Sequence, residues 1–260
     1  MQPLARLLSA AVLLAALAAV PARGDTIRFS VSAEPYPPFA AKNAAGRWQG
    51  FEIDLMNELC RRLRPSKCVL KEIAWDGIIA ALTAHKIDVI FASMSITDER
   101  RKTIDFSIPY YNTPGAIAAR KDSRIDITAD SVKGKVIGVQ SATTAMNFAD
   151  TYFAAIATVK IYNTQEEADA DLAAGRIDAT IADSAALEPF VAGNKDIEIK
   201  GFYPKDDPIW GNGVGAGMRK GDTRLKARID RAIRAVYRDG TFATLQQKYF
   251  KYDIGTPPNL

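Results

Sequence analysis

The chain has 260 residues, 48% of them apolar and 25% charged, with 34 basic residues against 30 acidic ones. That balance suits a globular chain long enough for one large domain or two modest ones, and it excludes wholesale disorder. One His and two Cys are too few for a Cys/His metal cluster, and the small positive excess gives no nucleic-acid signature.

The first 24 residues stand apart. Arg6 precedes an almost unbroken run of Leu, Ala and Val from Leu7 to Val20, and small residues follow at Ala22 and Gly24. A charged start, an apolar centre and small residues at the end make a secretory signal. The run is shorter than the ~20 residues of a spanning helix. Residues 1–24 are therefore expected to be a signal peptide, cut after Ala22 or Gly24. Removal after Gly24 takes Arg6 and Arg23 with it and leaves a nearly neutral mature chain. No Cys near the cut offers a lipid attachment site, and no second long apolar run follows. The mature protein is expected to be soluble in an oxidising compartment. There Cys60 and Cys68 would form a disulfide, with two reduced thiols as the alternative.

Beyond the leader, Thr26–Val31 reads as a strand. Phe51–Leu63 reads as an amphipathic helix with Phe51, Leu55, Leu59 and Leu63 in one row. Strand Cys68–Ile73, helix Gly77–His85 and strand Ile87–Phe91 complete a βαβαβ order, which implies a parallel sheet flanked by helices. The pattern then restarts with strand Lys135–Val139, helix Thr143–Ala154 and strand Thr158–Tyr162. The capping-box pair Thr164 and Glu167 opens another helix, and strand Ile177–Ile181 follows. Lys86–Ser93 (KIDVIFAS) is echoed by Arg176–Asp183 (RIDATIAD). The echo supports two similarly built α/β lobes, although helix–turn–buried-strand units are common enough to produce it alone. Stretches rich in Gly, Pro and Asn at Tyr110–Gly115 and Lys205–Gly215 mark crossings between the lobes. The amphipathic helix Thr223–Tyr237, the break at Gly240 and the helix Phe242–Phe250 would finish the first lobe.

Ligands of open α/β sheets bind beyond the carboxyl ends of the strands. After the first strand, three prolines stiffen the loop that carries Glu34 and Tyr36; an ordinary surface turn is the alternative. After the third strand come the hydroxyls of Ser93 and Ser95, then Arg100. Its planar fork suits a carboxylate, or it pairs with Asp98 or Glu99 at the surface. In the second half, Gln140, Thr143 and Thr144 sit at a helix start, where free N–H groups favour an anion; plain capping would also explain them. Asp183 ends the last strand of the echo, placed to accept from an ammonium or to cap the following helix. Trp75 precedes a helix and packs there, or forms with Tyr36 a sandwich for a flat cationic side chain. Together these residues offer donors for a carboxylate and an acceptor for an ammonium, the two ends of a free α-amino acid. His85 is expected at the surface, and no nucleophile motif, phosphate loop or cofactor signature stands out.

Through EPYPPF, GFEIDLMNELC, WDGIIAAL, KIDVIFASMSITDERR, KGKVIGVQSATTA, GRIDATIAD and RDGTFATLQQKYF, the mature chain resembles the periplasmic polar amino-acid-binding proteins of ABC uptake systems, of the histidine and lysine/arginine/ornithine type. The resemblance implies a type II-like periplasmic binding fold, with lobe I at 25–112 plus 214–260 and lobe II at 113–213. The hinge segments would lie near 111–115 and 207–214. It implies that Tyr36 and Trp75 flank the ligand side chain and that Ser93 and Ser95 bond its backbone. Arg100 and Thr144, with Thr143 nearby, would hold the carboxylate, and Asp183 the ammonium. It also implies a Cys60–Cys68 disulfide. The expected partners are a free amino acid and inner-membrane permease subunits, the expected state a monomer, and no cofactor or enzymatic activity is expected. The sequence departs from relatives that bind basic amino acids, which carry an acid three residues before the tyrosine. Here Ala33 stands there and Glu34 comes one later; Ala92, Gln140 and Ala145 also differ. A cationic ligand is the preference, with glutamine, histidine and opines open. The same fold hosts periplasmic cyclohexadienyl dehydratases and can serve a ligand-sensing receptor partner, so the alternatives are an enzyme or a sensor.

Overall fold

The computed structural model describes residues 25–63 and 66–258, so the expected signal peptide lies outside the described residues. In chain order the first half contains β1 (Thr26–Ser32), the short hairpin β2 (Ala41–Lys42) and β3 (Trp48–Gln49), α1 (Phe51–Arg62) and β4 (Lys67–Ile73). A 3-10 turn at Trp75–Gly77 leads into α2 (Ile78–Thr83), then β5 (Val89–Ile90), α3 (Asp98–Thr103) and β6 (Ile104–Phe106). The middle supplies β7 (Gly115–Arg120), β8 (Val136–Gln140), α4 (Thr144–Phe153), β9 (Thr158–Tyr162), α5 (Gln165–Ala173), β10 (Ala179–Asp183), α6 (Ser184–Gly193) and β11 (Ile197–Phe202). The chain ends with β12 (Gly217–Arg219), α7 (Thr223–Arg238) and α8 (Thr241–Tyr249).

These strands make two five-stranded sheets, ordered β4-β1-β5-β12-β6 and β11-β7-β10-β8-β9, one in each of two α/β lobes. The chain thus leaves the first lobe after β6 and returns with β12. The strands of the predicted βαβαβ unit, β1, β4 and β5, run parallel as expected, but neither whole sheet is purely parallel. β1 runs parallel to β4 and β5, and β8 parallel to β9 and β10. β12 runs antiparallel to β5 and β6, and β7 antiparallel to β10 and β11. The reversed strands, β7 and β12, are the first strands after each crossing between the lobes.

Burial follows the predicted pattern. Phe51, Leu55, Leu59 and Leu63 of the α1 row are all buried, packed with Phe29, Val89 and Ile229. Phe39, Tyr111 and Phe250 gather around Phe51 with ring centroids 5.1–6.5 Å apart. Gly50 admits this packing: its φ is +128°, and a Cβ there would lie 2.3 Å from the Phe39 carbonyl oxygen. A second core, centred on Ile117, Val139, Phe148 and Ile181, fills the other lobe. Cys60 at the end of α1 and Cys68 at the start of β4 are joined by a disulfide, with Cα atoms 6.0 Å apart.

The two crossings lie side by side. Val214 N–H donates to the Tyr111 carbonyl at 2.8 Å, and Tyr110 N–H to the Val214 carbonyl at 2.9 Å. The echoed segments also share one local device. Asp88 and Asp178 each donate a backbone N–H to the carbonyl of a residue in a neighbouring parallel strand, Arg28 of β1 and Val136 of β8 respectively. Each also accepts that same residue's N–H on its carboxylate, at 2.9 Å and 2.8 Å. The echo is therefore structural, not a coincidence of composition.

Candidate functional site

A cavity lies between the lobes at the carboxyl ends of β1, β5, β8 and β10, and all ten residues selected from the sequence line it: Glu34, Tyr36, Trp75, Ser93, Ser95, Arg100, Gln140, Thr143, Thr144 and Asp183. The parallel strands aim their C-terminal ends the same way, so the residues that follow them converge.

Three hydrogen bonds join the lobes over this cavity. Tyr36 Oη donates to Asp183 Oδ2 at 3.0 Å, Trp75 Nε1 to the Ser141 carbonyl at 3.1 Å, and Arg100 Nη2 to the Ala142 carbonyl at 3.0 Å. Arg100 also donates through Nη1 to the Ser95 carbonyl at 2.9 Å, and its guanidinium lies 5.4 Å from the Trp75 ring centroid. Neither Asp98 nor Glu99 pairs with it; Glu99 instead takes Lys102. Burial lowers the Arg100 pKa to about 10, partly offset by Asp183, so it stays charged at neutral pH. Two of its five N–H donors are used by these carbonyls, which leaves donors for an anion.

Asp183 does not cap α6 with its side chain. Its carboxylate accepts from Tyr36 and, at 3.2 Å, from Thr113 Oγ. Burial raises its pKa to about 6 against the pull of those hydroxyls and of Arg100. Such a carboxylate gains from a nearby cation. Glu34 turns Oε2 toward the Ser32 hydroxyl at 2.5 Å and the Trp75 N–H at 3.1 Å, which fixes it in the cavity wall. Gln140 is buried, with Nε2 donating to the Asn163 carbonyl at 3.2 Å. Thr143 is the N-cap of α4, its hydroxyl accepting from Met146 N–H at 3.1 Å, and Thr144 opens the helix beside it. Capping thus occupies Thr143 and leaves the Thr144 hydroxyl to the cavity.

Ser93 has φ of +52° and Ala142 of +57°, left-handed conformations that few non-glycine residues hold. One follows β5 and the other lies in the turn after β8. The Ser93 conformation is held by Glu52, which accepts from its N–H at 2.7 Å and its hydroxyl at 3.0 Å. Glu52 is fully buried and also accepts from Tyr110 Oη at 2.8 Å and Tyr111 Oη at 3.4 Å. Burial carries its pKa up to about 7, and these donors restrain the rise. The sequence reading missed Glu52 as well as Ser32 and Gln165, which also line the cavity. An acid in the first turn of a helix ordinarily signals a favourable dipole and an exposed position. The tyrosines that bury Glu52 lie 58 and 59 residues away, so no local pattern announces it.

Residues 27–252 match the model of the bacterial extracellular solute-binding proteins, family 3. The chain belongs to this family. Among family relatives, an L-arginine-binding protein of Pseudomonas aeruginosa is 38% identical over 233 residues, covering 88% of this chain and 89% of that protein. A lysine/arginine/ornithine-binding periplasmic protein of Escherichia coli strain K12 is 38% identical over 234 residues, with the same coverage of both chains. The solved structure of an ancestral arginine-binding protein bound to arginine superposes with a TM-score of 0.80 at 34% identity, covering 88% of this chain and 99% of that one. These family members are binding proteins rather than enzymes.

Proposed function

We propose that this solute-binding protein captures a free L-amino acid with a cationic side chain in the periplasm and presents it to the permease subunits of an inner-membrane ABC transporter. One observation carries the reading: Arg100 after β5 and Asp183 at the end of β10, of opposite charge and from opposite lobes, line a single cavity. Arg100 and Thr144 receive the α-carboxylate, and Asp183 with the Ser93 and Ser95 region holds the α-ammonium. Tyr36 and Trp75 flank the side chain, and Glu34 supplies its anionic partner. The names of the arginine- and lysine/arginine/ornithine-binding relatives support a cationic ligand. Lobe I comprises 25–112 and 214–260, lobe II 113–213, and the lobes turn about the segments near 111–115 and 207–214. The protein acts as a monomer after loss of residues 1–24. Because the grip spans both lobes, the closed form alone gains every contact, so ligand shifts the population toward closure.

A thermal-shift screen against the proteinogenic amino acids and opines tests this, since a ligand of the native state raises Tm. Arginine, lysine, ornithine or histidine is expected to give the largest rise. Arg100→Ala and Asp183→Ala are each expected to cut affinity roughly tenfold or more, because a buried charge loses its partner. Unchanged calorimetric binding in both variants would refute the assigned grip.

A further inference from the structure

Gln165 lines the cavity from lobe II and is 5% exposed. It is the first residue of α5, directly after the Thr164 N-cap and its capping box with Glu167. Its amide nitrogen donates twice, to Asp169 Oδ1 at 2.8 Å and to Thr180 Oγ1 at 2.9 Å. Thr180 has a single hydroxyl proton, and that proton goes to the Gly138 carbonyl at 3.0 Å, so toward Gln165 it accepts. Asp169 Oδ1 accepts beside it, as a carboxylate oxygen or as the carbonyl oxygen of the protonated acid. Turning the amide over would set its carbonyl oxygen against these two oxygens, so the network fixes which end points where. Both N–H groups are used, and no donor among the described residues bonds Oε1. No cation pairs with Asp169 among the described residues either. Burial pushes its carboxyl up to about 7, the Gln165 bond opposes this, and Glu166 adds to it.

We propose that Gln165 is a specificity-determining residue. Asp169 and Thr180 turn its amide so that Oε1 presents an acceptor to the side chain of the bound amino acid, which favours guanidinium, ammonium or amide ends over a carboxylate. Asp169 is a positioning residue in this arrangement: it acts through Gln165 and does not itself line the cavity. Glu34, on the facing lobe, lines the same cavity and adds a second acceptor to it. A ligand carboxylate would therefore meet oxygens, whereas an N–H donor would satisfy an acceptor that the protein leaves unpaired. The proposal rests on the amino-acid-binding reading above.

Calorimetry on the purified protein with L-arginine, L-glutamine, L-glutamate and L-norleucine separates the two claims. Norleucine reports the grip on the α-amino and α-carboxylate groups alone. In Gln165→Met, a nearly isosteric change, affinity for arginine and glutamine should fall roughly tenfold or more while norleucine stays within about twofold. The preference for glutamine over glutamate should shrink with it. Asp169→Asn frees the amide to turn, so the same preference should shrink by a smaller factor with norleucine again unchanged. A purely structural role would lower all four affinities together. That outcome, or an unaltered glutamine-to-glutamate ratio in Gln165→Met, would overturn the proposal while leaving the amino-acid reading intact. A wild-type protein that binds none of the four ligands would overturn both.

Discussion

Asp183 ties the site to proton concentration. Its pKa of about 6 stands above the ordinary carboxylate range because burial disfavours the charge. The folded closed form therefore holds a proton that the unfolded chain gives up earlier. Its contribution to stability is present below the ordinary carboxylate range and is lost as pH rises through about 6. A ligand ammonium reverses the preference, since it pairs with the carboxylate and pulls the pKa down. Below about pH 6, binding must then release a proton. Affinity is expected to fall with acidification, by at most about tenfold per pH unit. Calorimetry in two buffers of different ionisation enthalpy measures the released proton, and affinity flat between pH 8 and 4.5 would contradict the assignment. The ten chosen residues were readable because each lies at or after the carboxyl end of a strand, a place that topology alone makes functional. Glu52 and Gln165 were not, since their burial and orientation are set by Tyr110, Tyr111 and Thr180, far off in sequence.

Elements with strong periodicity were legible to within a residue or two: α1, α4, α7, β9 and the Thr164 capping box. The strands β7 and β12 were not. GAIAAR and GMR lack alternation because both of their faces are covered, and small buried residues give no period. The echoed units offer a test at this scale. Each helix before an echoed strand ends in a left-handed residue, Gly175 with φ +70° in one lobe and His85 with φ +58° in the other. Around both, the following residue's N–H reaches back to the helix, Arg176 to the Asp171 carbonyl at 2.8 Å and Lys86 to the Ala81 carbonyl at 2.9 Å. Glycine holds this conformation freely, whereas a Cβ strains it. His85 is exposed and has no role in the cavity. His85→Gly is expected to stabilise the protein by about 1 kcal/mol and to raise Tm by about 2–4 °C. Scanning calorimetry checks this, and a lowered Tm would contradict the backbone argument.

Across the whole molecule, closure depends on more than the ligand wall. The C-terminal segment belongs to the first lobe through Phe250 and Ile254, which are buried in its core. Tyr252 between them donates to Glu188 of α6 at 2.7 Å, a bond between lobes outside the cavity. It exists only while the lobes meet, so it favours the closed population without touching ligand. Tyr252→Phe is expected to weaken every ligand uniformly, by about two- to fivefold, as fits an exposed hydrogen bond. Unequal losses among ligands would assign Tyr252 to selectivity instead. The two-lobed plan was legible from the restart of the βα pattern and from the crossing segments. The mixed sheet order was not, because no residue pattern states which strand lies between which.

That order has a consequence for how the chain assembles. β6 has one neighbour in its sheet, β12, which is inserted between β5 and β6 and lies more than a hundred residues downstream. The second lobe's strands, by contrast, run uninterrupted from Gly115 to Phe202. The middle of the polypeptide can thus condense as a self-contained unit, while the lobe begun first must wait for the carboxyl-terminal fifth of the chain before its sheet is whole.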